Sequence, residues 1–370
     1  MDFSFSEEQR LLEATVERFA QDRYGNGQRA SYLTSDTGFD ADGWRLMAET
    51  GLLGIPFSEE NGGLGGGGLD LVCAMRPLGK SLAVEPLLGG PVLAGSLLER
   101  IGAAEQVASW APGIVDGSRH LALAHAEKVA RFHLDYVDAR FQGADGRYKL
   151  TGHKTFIIAA GGADGFIVSA LPAGWSPGGT SRADAMRFFL VEANAEGVSR
   201  RQYRLTDGSI ACELELFAAT AAPMDGGYSD LEAVVARAKI AACAELIGVM
   251  ELLFEATLDY VKTRKQFKQP LGKFQVIQHR LADLYTSLEL SRSHLFRMAT
   301  ADCDSADDRR AISGSKAFIA KAAIALGEEA VQLHGGMGVT DELIIGHGLK
   351  RILVLATLFG DPAAEMARFQ

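Results

Sequence analysis

Two segments concentrate side chains able to grip a nucleotide. In Arg264-Lys265-Gln266-Phe267, continuing through Pro270 and Gly272 to Gln275 and Gln278, a cation, an aromatic ring and amides follow closely on one another. The planar fork of Arg264 suits a phosphate, Phe267 offers a face to a purine, and Gln275 can bond an adenine or a pyrophosphate. A basic turn between two helices, with a surface arginine, explains the same spacing equally well. The second segment, Gln332-Leu333-His334-Gly335-Gly336-Met337-Gly338, sets glycines just past a helical pattern, where backbone can approach a pyrophosphate closely. A Schellman-type helix end accounts for Gly335 as well. No strand precedes these glycines, so they are not a Rossmann fingerprint.

Other chemistries drop out. His120 and His125 stand on an expected strand at a spacing that points them to opposite sides. The sequence has no His-x-x-x-His, no Gly-x-Ser-x-Gly and no phosphate loop, and the other histidines are isolated, so no metal site is expected. A net charge of −10 and a pI near 5.4 argue against nucleic-acid or anionic-membrane partners. Cys73, Cys212, Cys243 and Cys303 lie far apart and read as free thiols in a reducing compartment. The N-terminus lacks the basic head and apolar stretch of a signal peptide, and no run suits a membrane span; a cytoplasmic protein is expected.

The elements that must position the two segments fall into three parts, within the two to three domains that 370 residues suggest. Residues 1–115 read as a helical N-terminal domain. Ser6-Glu7-Glu8-Gln9 fits a helix start, a second helical pattern runs through Trp44 to Gly51, and the glycines of 61–68 read as a loop, most simply a flexible connector. Residues 116–222 read as an antiparallel β domain, a sandwich or barrel, with strands at Leu121–Ala124, Tyr148–Ile158, Phe166–Ala170, Arg187–Val191 and Leu214–Phe217. Turn signals such as Ala144-Asp145-Gly146 separate them. Residues 223–370 read as long helices: one through Leu231 and Leu253, then Gln275–Met298, Ile312–Leu333 and Leu343–Leu358. Small inner residues such as Ala241 and Ala323 suit a closely packed bundle. The class is α+β.

In this order the segments resemble the acyl-CoA dehydrogenase family, and the likeness covers nearly the whole chain. It rests on Phe3–Gln9, on Gly51-Leu52-Leu53-Gly54-Ile55-Pro56 with Glu60–Gly65, on Leu150-Thr151-Gly152-His153-Lys154-Thr155-Phe156-Ile157, and on the two nucleotide-type segments. The resemblance implies a helical N-terminal domain, a β-barrel or sandwich middle, a C-terminal four-helix bundle and a tetramer. It also implies FAD, an acyl-CoA substrate and an electron-transfer flavoprotein as acceptor. Residues matching the family's ADP grip are Arg264, Phe267, Gln275, Gln332, Gly335 and Gly336, which act largely across a dimer interface. On the flavin side the family's Trp-x-Thr reads Phe156-Ile157-Ile158, and its Thr-Glu-Pro loop degenerates to Ala124–Ala130.

Dehydrogenation between the α and β carbons needs a carboxylate to take the α proton while hydride leaves the β carbon. Counted from Arg351, the family's usual glutamate slot is Gly360. Counted back from Arg264, the alternative slot is Ala238. Two substitutes stand nearby: Asp361, and Glu245 on the same helix face as Ala238. The losses together resemble the base-lacking chain of heteromeric α2β2 sterol side-chain dehydrogenases. Alternatives are an independent homotetramer using Asp361, a flavin monooxygenase, or a non-catalytic scaffold on the same fold.

Overall fold

Ser6 opens the first helix as its spacing predicts. In the computed structural model, which describes residues 5–24, 28–144 and 146–370, its hydroxyl accepts from Gln9 N while the Gln9 amide accepts from Ser6 N, both at 3.1 Å. Phe3, Ser4 and Asp145 lie outside the described residues. Helix α1 (Glu7–Arg23) is followed by α2 (Gln28–Thr34), α3 (Ala41–Glu49) and α4 (Gly68–Lys80). A π-helical stretch, Leu88–Gly95, leads into α5 (Ser96–Ile101) and α6 (Ala104–Val115). The glycine cluster before α4 is not a slack connector. A Cβ on Gly63 would lie 2.2 Å from the Phe57 carbonyl oxygen, so this loop packs backbone against backbone.

Seven strands make the middle part: β1 (Leu121–Ala124), β2 (Arg140–Ala144), β3 (Arg147–Ile158), β4 (Gly165–Pro172), then helix α7 (Arg182–Ala185), β5 (Arg187–Glu192), β6 (Val198–Arg204) and β7 (Ile210–Met224). The pairings β4–β2–β3–β7–β5–β4 close a ring, with β1 added to β4 and β6 to β7. The barrel expectation holds, but the sheet is mixed: β1 and β2 both pair with β4 in parallel. Strand β7 makes closure possible. Its first part pairs with β3 and β6, and its last residues cross to β5.

The C-terminal part is α8 (Tyr228–Thr263), the short ladder β8 (Lys265–Gln266) with β9 (Gln269–Pro270), α9 (Gln275–Ala299), α10 (Ala306–His334), α11 (Ile344–Thr357) and α12 (Pro362–Phe369). Helix α10 starts earlier than the apolar spacing suggests, because Ser305 caps it and Asp307 and Asp308 favour its N-terminal end. Helix α12 is an addition to the expected four, and it packs on α10. Among the described residues no helix is long and apolar enough to cross a membrane.

Helix α8 is held from both sides. Against α4 the backbones meet directly: a Cβ on Gly79 would lie 2.2 Å from the Glu245 oxygen, and one on Gly248 would lie 2.0 Å from the Arg76 oxygen. Against α11 and the barrel, Arg351 donates to Glu245 and to Asp207, each at 2.7 Å. All three side chains are largely buried, and breaking such a set strands a charge. Glu245→Gln is therefore expected to lower unfolding free energy by about 3 kcal/mol in urea titrations.

Candidate functional site

The six residues of the expected ADP grip gather at one end of the bundle. Arg264 ends α8, Phe267 sits in the β8–β9 turn, Gln275 opens α9, and Gln332, Gly335 and Gly336 close α10. A small apolar cluster of Val261, Leu281 and Leu333 holds the three helix ends together, and the Tyr260 ring stacks on His334 at 4.2 Å. All six are exposed, Phe267 at 87%. Gly335 adopts φ 62° and ψ −142°, which only glycine tolerates, and nothing lies within 4 Å of a Cβ built on Gly335 or Gly336. An open cradle with a cation, a ring and two amides beside it fits the phosphate and adenine of FAD.

A cavity of about 430 Å³ lies elsewhere, between the barrel, the N-terminal half of α8, the start of α10 and the segment before α12. Phe156 and Ile158 from β3 form part of its wall, so both apolar replacements in the Trp-x-Thr motif face it. From α8 come Glu232, Val235, Ala236 and Lys239. Lys239 and Arg264 are roughly 38 Å apart along α8 at about 1.5 Å of rise per residue. That span exceeds an extended FAD, so one dinucleotide cannot touch this cavity and this chain's own cradle together.

Neither substitute carboxylate reaches the cavity. Asp361 caps α12, accepting from Ala364 N at 2.8 Å ahead of Pro362, and is not part of the cavity wall. Glu245 is committed to Arg351, and its helix face, which includes Ala238, turns away from the cavity. Burial pushes the Glu245 carboxyl up, against the pull of Arg351. At the usual base slot, Gly360 has φ 141°, and a Cβ there would lie 2.2 Å from Glu365 Oε1. Glu365, wholly buried, pairs with Lys239 at 2.7 Å and also with Arg368. Arg368 continues to the carbonyls of Phe359 and Phe132, tying α12 to the loop after β1. The sequence reading missed this network. The signal was Asp361-Pro362, a helix start followed by Glu365 and Arg368 on one face.

The loop after β1 is organised, not degenerate. Glu127 accepts from Asp138 N at 2.8 Å and Ala139 N at 3.0 Å, and takes the buried Lys154 at 2.7 Å. Burial pushes the Lys154 ammonium down to about 8 even with Glu127 beside it. His125, in the cavity wall, bonds Ser169 at 2.8 Å, and burial, with Lys154 adding to it, pushes its imidazole down to about 3. Between about pH 6.5 and 3 the unfolded chain therefore binds a proton that the folded chain refuses, so stability falls on acidification. From pH 7.5 to 5.0 the wild type should lose about 2 kcal/mol more than His125→Gln in urea unfolding.

Comparison with known proteins identifies the family and the fold. Residues 6–118 match the acyl-CoA dehydrogenase N-terminal domain, and residues 225–367 match the acyl-CoA dehydrogenase C-terminal domain. Acyl-CoA dehydrogenase FadE27 of Mycobacterium tuberculosis is 30% identical over 313 residues, spanning 81% of this chain and 79% of the relative. The solved Tcur3481-Tcur3483 steroid ACAD superposes with TM-score 0.88 at 28% identity, over 98% of this chain and 96% of that one. The ChsE4-ChsE5 complex from Mycobacterium tuberculosis gives TM-score 0.87 at 25% identity, over 100% and 97%. The chain belongs to the acyl-CoA dehydrogenase family, whose members are FAD-dependent flavin oxidoreductases.

Proposed function

We propose that this chain is the non-base subunit of a heteromeric acyl-CoA dehydrogenase, paired with a second dehydrogenase-like chain in a tetramer. The observation that carries this reading is the base slot: Gly360 has no side chain, and Glu365 stands where one would begin. The roughly 38 Å between cavity and cradle favours an assembly in which the cradle serves a flavin whose ring lies on another chain. FAD, when bound, supplies the hydride acceptor. Arg264 and Phe267 hold its phosphate and adenine, and Gln275 and Gln332 bond its polar edges. The partner then brings the carboxylate that takes the α proton. Two of the solved relatives carry paired names, ChsE4-ChsE5 and Tcur3481-Tcur3483, and the second is a steroid ACAD, which favours a partner and a fatty or sterol acyl-CoA. Electrons would pass on to an electron-transfer flavoprotein, in a reducing cytoplasm where the four thiols stay free.

Two experiments test this. FAD content is measured on the chain purified alone and after co-expression with a neighbouring dehydrogenase-like gene product. Little flavin alone, rising to about one per heterodimer, is expected; one tight flavin per chain alone would sink the half-site reading. Gly360→Glu is expected to install no base. Its side chain meets Glu365 and φ 141° lies outside the region that L residues favour, so the melting temperature should fall, with no gain in acyl-CoA-dependent bleaching by the co-expressed complex.

A further inference from the structure

The cavity wall is cationic in an acidic protein. Arg131, Lys239, Arg309, Arg310 and Arg368 line it, against only Asp135 and Glu232, while the whole chain carries −10. Arg131 and Arg310 are exposed, at the rim, where the hydrated phosphates of a CoA thioester would lie. Lys239 is different. It is 6% exposed and sits beside the vacated base slot.

Charge around Lys239 is not balanced internally. Lys239, the buried Lys316 and Arg368 gather on a single buried carboxylate, Glu365. Lys316 spends its donors on the carbonyls of Ala356 and Gly360, at 3.2 and 2.7 Å. The Lys239 ammonium, with three donors, is ion-paired to Glu365 at 2.7 Å and donates to Ser313 Oγ at 3.1 Å. Among the described residues the third has no partner. The Ser313 hydroxyl accepts from Lys239, and its own proton likewise has no acceptor there. Both side chains line the cavity. Two free donors, one of them charged, thus share the wall with the apolar side chains Phe156, Ile158, Val235 and Leu358.

We infer that Lys239 and Ser313 form an oxyanion subsite for the acyl part of the substrate, selecting a thioester whose acyl chain ends in a carboxylate. The inference rests on the acyl-CoA reading of the cavity and narrows it. A carboxylate there would take the N–H of Lys239 and the O–H of Ser313, and would offset the excess positive charge that Glu365 leaves. A plain alkyl chain would leave both donors desolvated and unpaired.

The test is isothermal titration of the full-length chain with adipyl-CoA, hexanoyl-CoA and free CoA. The first two differ only in the terminal carboxylate. Adipyl-CoA is expected to bind about tenfold more tightly than hexanoyl-CoA. Ser313→Ala should shrink that ratio. Lys239→Met should abolish it, and the double variant Lys239→Met/Glu365→Leu, which strands no charge, should do the same if the single variant folds poorly. Free CoA should bind all variants alike. Equal binding of the two thioesters by the wild type would overturn the subsite and leave the half-site reading standing. Failure of both the chain alone and its co-expressed complex to bind either thioester would overturn both. Loss of free CoA binding in a folded Lys239 variant would assign Lys239 to a phosphate and overturn the carboxylate subsite.

Discussion

Everything in this molecule is referred to the length and rigidity of α8. The helix is 36 residues, roughly 54 Å, and it carries cavity residues near one end and the nucleotide grip at the other. It has no freedom to bend the two ends together. Gly79 and Gly248 bring α4 and α8 into backbone contact, and Arg351 fastens Glu245 of α8 to Asp207 at the barrel. A helix pinned in this way keeps the cavity and the exposed cradle at the end of the bundle apart within one chain. The exposure of Phe267, Val276 and Met337 at that end suits contact with another chain, since large apolar side chains gathered on a surface mark association sites.

Ionic groups take over where the family's flavin and base contacts are missing. The loop after β1 lacks a threonine to meet the flavin, yet Glu127 folds it firmly by taking two backbone amides and Lys154. The base slot lacks a glutamate, yet Glu365 reaches the same place from α12 and holds Lys239 and Arg368. In both places the carboxylate is spent on structure.

What could be read from the sequence follows from the range of the interactions involved. The capping box at Ser6, the strand Leu121–Ala124 and the helix opened by Gln275 are local patterns, and they appear where the spacing puts them. The helix ends that carry the six residues expected to grip ADP were legible because such ends are marked by glycine and proline, and they converge through Val261, Leu281 and Leu333. Strand β6 was not legible, since Val-Ser-Arg-Arg-Gln-Tyr-Arg is polar and mostly exposed and is a strand only because β7 lies beside it. The parallel pairing of β1 with β4 has no local signature either. Pairs such as Lys154 with Glu127 and Lys239 with Glu365 join residues far apart in the chain, and only the fold brings them into contact. Glu245 looked available for the same reason, since Arg351 meets it only in three dimensions, whereas the Asp361 cap on α12 is local and was signalled by Pro362.

Gly360 is better understood as a consequence of this arrangement than as a missing side chain. A carboxylate that removes an α proton needs a raised proton affinity, which burial supplies and neighbouring cations destroy. At this slot Lys316 donates to the Gly360 carbonyl at 2.7 Å, and Arg368 would lie 2.7 Å from a Cβ at that position. A glutamate placed here would run into the Glu365 carboxylate and the Arg368 guanidinium. Space excludes the side chain. Recovering a base at this position therefore requires removing Glu365 and Arg368 as well as replacing Gly360. Doing so would release α12 from the loop that Arg368 ties down at Phe132. The filled space at Gly360 and the docking of α12 are thus one structural choice.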